Sequence, residues 1–182
     1  MLPLDTLADI EGLAGFHAEA EAVLALPDEE LYRPVPEVSG WSPGHHLFHV
    51  LLANELAFRN VNVVLKANQD PEGASRWFQP SGEPTLLGYH VQLWEWIPRG
   101  VAKSPRAVTP PAKPDPEIVR DTLRSCRESF DLLCQDPQRL IQARGGVPHQ
   151  DLGWLTAAGW LRFAKLHGWH HLAIVRDVRA AG

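Results

Sequence analysis

The sequence predicts an all-α protein, a four-helix bundle with a long proline-rich crossover between its second and third helices. Three observations predict it. Four segments carry apolar residues at the three- and four-residue spacing of a helix buried on one side. Two of them open on a capping residue followed by proline, Ser42-Pro43 and Asp115-Pro116. Between those two, residues 69–114 hold many of the chain's prolines and show no long period. Four long helices with one large connection make a bundle.

The first helix is expected from about Asp5 to Leu26, with Leu13, Phe16, Ala20, Val23 and Leu24 as its apolar stripe and Pro27 beyond its end. His17 lies beside that stripe and reads as a packed core residue. The second is expected from Pro43 to about Asn68, apolar on several faces and therefore central. In the crossover, Leu86 to Ile97 is rich in apolar residues and is expected to form a short helix or strand. Trp77, Phe78, Trp94 and Trp96 are expected to be buried where the crossover wraps an end of the bundle. The third helix is expected from Pro116 to about Gln135, with Ile118, Leu123, Phe130 and Leu133 in the core. A loop with Gly145, Gly146 and Pro148 follows, and the fourth helix is expected from Thr156 to about Arg179.

A chain of 182 residues is expected to form one domain, and its 45% hydrophobic content suffices for a core. A net charge of −5, with the signs mixed along the chain, argues against a nucleic-acid binder. No run of 18 apolar residues suggests a membrane span. The opening MLPLDTLADIEGL lacks a basic start and an unbroken apolar run, so no signal peptide and a cytoplasmic location are expected. Cys126 and Cys134 lie eight residues apart on one predicted helix, roughly 12 Å by helical rise. That is too far for a disulfide, and both read as small buried hydrophobes.

The chemistry sits in LHGWHHLAIVRDV. His167 and His171 are one helical turn apart on one face, where two imidazoles can grip one metal ion. They interrupt the stripe Trp160, Phe163, His167, His171, Ile174, Val178 that should face the bundle centre. Two buried imidazoles need partners for their polar nitrogens, and a metal would satisfy one on each ring. His170 falls about 100° off this stripe and reads as an outer-shell or surface residue; the pair His167 and His170 is the weaker alternative.

On the second helix the corresponding stripe is His45, His49, Leu52, Leu56, Asn60. His49, one turn in, is the preferred third ligand; His45 and His46, in the first turn and nearer solvent, are the alternatives. Glu55 points away from His49 and reads as structural. Three neutral imidazoles suit zinc, nickel, iron or copper better than calcium or magnesium and leave a coordination position open. The residues between His167 and His171 are Gly168, Trp169 and His170, so the glutamate of a zinc-protease helix is missing.

These pieces, GWSPGHHLFH and HGWHHLAIVRD above all, together with WIPRGVAKSP and VPHQDLGWLTAAGWLRFAKLHGWHH, resemble the DinB/YfiT-like metalloenzymes. The resemblance covers most of the chain. It implies an up-down bundle holding a divalent transition metal, often nickel or zinc, on three histidines, which here are His49, His167 and His171. It also implies thiol-dependent transferases or isomerases that use a low-molecular-weight thiol. A metal-dependent S-transferase or small-substrate hydrolase is the first reading, with a small molecule as partner. A non-catalytic metal-binding bundle in a stress response is the second, favoured by a fourth protein ligand such as His90 or His149. His149 itself reads better as an outer-shell or loop residue. A homodimer is expected, since family bundles often pair.

Overall fold

The computed structural model describes residues 4–100 and 104–182. Met1 to Pro3 of the opening segment, and Val101 to Lys103 of the WIPRGVAKSP stretch, lie outside the described residues. The described residues are mostly helical. Seven α-helices occur among them, in order α1 (Thr6–Leu24), α2 (Asp28–Leu31), α3 (Pro43–Gln69), α4 (Leu86–Trp94), α5 (Pro116–Cys134), α6 (Pro137–Gln142) and α7 (Ala157–Ala181). A 3-10 turn at Arg106–Val108 and a two-stranded hairpin, β1 (Val147–His149) and β2 (Gly153–Leu155), complete them. No helix among them is long and apolar enough to cross a membrane.

The four long helices start where local chemistry starts them. Asp5, Asp115 and Thr156 each accept a backbone N–H three or fewer residues ahead, satisfying donors that a helix's first turn leaves open. Pro43 and Pro116 occupy first-turn positions that need no donor. Ser42 precedes α3 but spends its hydroxyl on His45 Nδ1, 2.7 Å away, rather than on the helix backbone.

Each long helix packs against two others, α1 on α7, α7 on α3, α3 on α5 and α5 on α1. The contact of α3 with α7 is the most extensive, which is what brings the two histidine-bearing helices together. At Gly168 a Cβ would meet the Phe16 ring at 2.7 Å, so a bare glycine lets α1 approach α7 beside His167. The core runs through Phe16, Leu47, Leu51, Phe58, Val61, Leu161 and Leu172.

Several sequence expectations need correction. Ile118 is 54% exposed, and the buried stripe of α5 is Val119, Leu123, Cys126, Phe130 and Leu133. Leu123, Phe130 and Leu133 are buried as expected, and Val119 takes the place expected of Ile118. On α3 the buried face is built from Val50, Leu51, Asn54, Ala57, Phe58 and Val61; Leu56, of the expected stripe, is exposed. Residues 147–155, expected as loop, form the hairpin, its strands too short to show a period and its turn closed by Gly153 at φ 74°. Trp77, Trp94 and Trp96 are 57, 73 and 57% exposed, so they do not pin the crossover down.

Ions and backbone bonds pin it instead. Glu95, at φ 50°, turns the chain after α4 and pairs with Lys165 at 2.8 Å and Arg162 at 3.7 Å. Gln79 exchanges two backbone bonds with Gly146, and Thr85 N–H reaches Leu152 O at 2.9 Å. Phe78 alone of the four aromatics packs partly against the core.

His17 is buried in the core, its Nε2 3.8 Å from Cys126 Sγ. Burial, helped by Arg127, pulls His17 down to about 4. Burial pushes the Cys126 and Cys134 thiols up, to about 12 and about 11, so neither is primed as a nucleophile. Unfolded His17 takes up its proton near pH 6.5, folded His17 only near pH 4. The unfolded chain therefore binds more protons in that interval, and acid favours unfolding across it. The metal-free protein is expected to lose melting temperature as pH falls from 6.5 to 4, and His17→Met to flatten that slope. An unchanged slope in the variant would assign it to other histidines.

Candidate metal centre

Three elements build one site. The first two turns of α3 supply His45, His46 and His49; the middle of α7 supplies His167, His170 and His171; and the proline-rich segment after residue 104 lies across them. His49, His167 and His171 each offer one ring nitrogen, and the three nitrogens lie within 4.8 Å of one another. Their ring centroids are 4.9 Å (His49 to His167), 4.8 Å (His49 to His171) and 4.7 Å (His167 to His171) apart. The helical turn between His167 and His171 and the pairing of α3 with α7 produce this triangle.

The hydrogen bonds around it fix two of the three rings. His49 Nδ1 is 2.8 Å from the Val108 carbonyl, so Nδ1 carries the proton and Nε2 presents a bare lone pair. Ser104 Oγ lies 3.2 Å from the same Nδ1. His171 Nδ1 lies 2.9 Å from His46 Nδ1, which leaves Nε2 as the free nitrogen of His171. His167 Nε2 faces His49 Nε2 at 3.2 Å, and Phe163 stacks on the His167 ring at 5.2 Å with 13° between planes. His167 Nδ1 is buried with no partner among the described residues.

Burial lowers the pKa of all three rings, and each ring's neighbouring imidazoles lower His167 and His171 further. They are therefore neutral near pH 7, the form that can donate a lone pair to a metal. The donor set fits such an ion. A proton alone could bridge Nε2 of His49 and His167, but it would leave Nε2 of His171 without a partner. No carboxylate or thiol joins the cluster among the described residues, which favours a borderline transition metal over calcium or magnesium.

The other candidates take different places. His45 stands outside the triangle, Nδ1 on Ser42 Oγ and Nε2 3.2 Å from the Ala112 carbonyl, tying α3 to the crossover. His46, expected near solvent, is buried between Trp41 and His171, because the loop at Ser39 folds over the start of α3. His170 packs edge-on against His171 beside the triangle. His90 packs against Trp96 and is not part of the cluster. Glu55 pairs with Arg59 on the helix surface at 3.3 Å.

His149 does not join the cluster either. At the end of β1, its Nδ1 accepts the backbone N–H groups of Asp151 and Leu152 at 3.1 and 3.3 Å. Its ring sits between Trp160 and Phe163, with centroids 5.3 and 4.7 Å away. Since Nδ1 accepts, Nε2 carries the proton.

The three imidazoles open onto a cavity of about 470 Å³. Its walls are mainly apolar, from Trp41, Leu56, Val91, Ile97, Trp160 and Phe163, with His149, Asp151 and Arg99 as polar points. Sequence reasoning missed Ser39, Ser104 and the Val108 carbonyl. A carbonyl carries no residue signature, and nothing in the proline-rich segment marks which carbonyl meets His49.

A family model described as the DinB superfamily matches residues 16–175, a span that holds every histidine of the site. No curated protein and no solved structure matches the chain.

Proposed function

The chain belongs to the DinB superfamily, and on that premise we propose that it is a metal-dependent enzyme of the up-down four-helix-bundle type, acting on a small apolar molecule and most like a thiol-dependent S-transferase or a small-substrate hydrolase. The observation that carries this reading is the opening of three neutral imidazoles onto a mainly apolar cavity. A structural metal site is closed by a fourth protein ligand, whereas a catalytic one keeps a position for water or substrate. Here the cluster has three donors and space in front of them.

His49, His167 and His171 would hold the ion, a divalent transition metal of the kind imidazoles suit, such as zinc, nickel, iron or copper. When bound, such an ion supplies Lewis-acid activation of a water or a thiol at neutral pH. The chain's own residues do the rest. Val108 O and the ring of Phe163 fix the aim of His49 and His167. Trp41, Trp160 and Phe163 exclude bulk water and receive the apolar body of the substrate. His149 offers an Nε2–H to an acceptor atom of that substrate. A low-molecular-weight thiol is the co-substrate the family reading adds.

The test is elemental analysis of protein prepared without a histidine tag, followed by thiol-transfer and ester-hydrolysis screens on metal-replete and metal-stripped protein. Turnover present with metal and lost on stripping supports the reading. Stoichiometric metal with no turnover in either screen favours a non-catalytic site.

A further inference from the structure

The Nδ1 atoms of His46 and His171 are 2.9 Å apart. Two imidazoles so placed share one proton, so one nitrogen donates and the other accepts. A histidine that gives one nitrogen to a metal carries its proton on the other. If His171 ligates through Nε2, its Nδ1–H is the donor and His46 Nδ1 is the acceptor. His46 must then hold its own proton on Nε2. That nitrogen lies 2.8 Å from Ser39 Oγ, which also accepts the Trp41 N–H at 3.1 Å. Every bond in the chain Ser39, His46, His171 has one donor and one acceptor, and the direction runs out from the metal position to the loop before α3. Trp41 closes the arrangement, its ring 5.5 Å from His46 and 5.1 Å from His49.

We propose that His46 is a positioning residue: it accepts the Nδ1–H of His171, with Ser39 fixing its tautomer, and so holds the His171 Nε2 lone pair on the metal. The proposal rests on the metal reading above. It distinguishes His171 from its two fellow ligands, since His49 is held by a backbone carbonyl that no substitution removes and His167 Nδ1 has no partner among the described residues. His171 is thus the ligand whose second ring nitrogen is held by a side chain alone among the described residues, whereas His49 has the Val108 carbonyl beside Ser104.

Two isosteres separate hydrogen bonding from packing. Asparagine places its carboxamide oxygen where His46 has Nδ1; glutamine places its carboxamide where His46 has Nε2. His46→Asn therefore keeps the acceptor for His171, and His46→Gln loses it while filling more of the space. The experiment titrates Zn²⁺ and Co²⁺ into tag-free wild type, His46→Asn, His46→Gln and His46→Leu, reading affinity by calorimetry and the ligand field by the visible Co²⁺ spectrum, with circular dichroism to show folding. Expected are a loss of roughly 10–100-fold in affinity for Gln and Leu, the range typical of outer-shell partners, an altered Co²⁺ spectrum in both, and near-wild-type values for Asn. Equal affinity in Gln, Leu and wild type overturns the proposal, as does an Asn variant as weak as Leu. If Leu does not fold, the Asn and Gln pair decides alone. Wild type that binds neither ion sinks the metal reading itself, a different outcome from either.

Discussion

Tag-free His167→Ala protein is expected to emerge from purification folded and without stoichiometric metal. Three neutral donors converge within 4.8 Å, and His167 is the one that faces His49 directly, Nε2 to Nε2 at 3.2 Å. Removing it leaves two donors on separate helices and a hole against Phe163. The loss should exceed the roughly 10–100-fold of an outer-shell change, because a ligand itself is gone. His49→Ala is expected to behave alike. His45→Ala is the control: His45 lies on the same helix face, yet its nitrogens are engaged by Ser42 and the Ala112 carbonyl, so metal content should not change. Metal retained in full by His167→Ala would remove it from the ligand set.

The largest effect on stability is expected from Asp9→Ala. Asp9 is wholly buried on α1, its Oδ2 2.9 Å from Arg162 Nε and its Oδ1 2.7 Å from Lys165 Nζ, both on α7. Arg162 is itself buried and also donates to the Gln92 carbonyl of α4 at 3.0 Å. One carboxylate thus answers charges that tie α1, α4 and α7 together. Taking it away leaves the Arg162 guanidinium in the interior with only the half-exposed Glu95, 3.7 Å away, as counter-charge, and losing the close partner of a buried pair costs about 3–5 kcal/mol. For a chain of this size that is a fall of roughly 6–20 °C in melting temperature. Replacing Asp9 and Arg162 together by leucine and methionine should recover most of the loss, since no charge is then stranded. Thermal unfolding of Asp9→Leu, Arg162→Met and the double variant measures this coupling directly. A single-variant loss below about 1 kcal/mol would mean that water reaches the pair, as at a surface salt bridge.

The long helices were legible because their starts are written in short-range chemistry. Asp115-Pro116 and Ser42-Pro43 mark α5 and α3 to the residue, and the α1 stripe from Leu13 to Leu24 is buried as its spacing predicts. The chain shows the family through most of its length, as the resemblance of its two histidine motifs implied. The triangle of His49, His167 and His171 was visible as a pattern because a helical turn and an interrupted apolar stripe are sequence-local signals. What surrounds it was not. His46 looked solvent-facing from its first-turn position, yet Ser39 and Trp41, from a loop with no period, enclose it. The crossover tryptophans looked like anchors because large aromatics are usually buried. The ion pairs of Glu95 and the backbone bonds at Gln79 and Thr85 hold the crossover instead, leaving Trp77, Trp94 and Trp96 outside. Long-range pairs of this kind leave no trace in spacing.

The central claim, that three imidazoles hold a metal facing the cavity, is tested most directly by X-ray absorption at the metal edge of tag-free protein. The account predicts three imidazole ligands, with metal–nitrogen distances of about 2.0–2.1 Å for zinc, and one or more light-atom ligands that exchange when a small thiol is added. A spectrum of His167→Ala loaded with excess metal should show fewer imidazoles. A wild-type shell with no imidazole scattering, or one closed by four protein ligands that ignore added thiol, would contradict it.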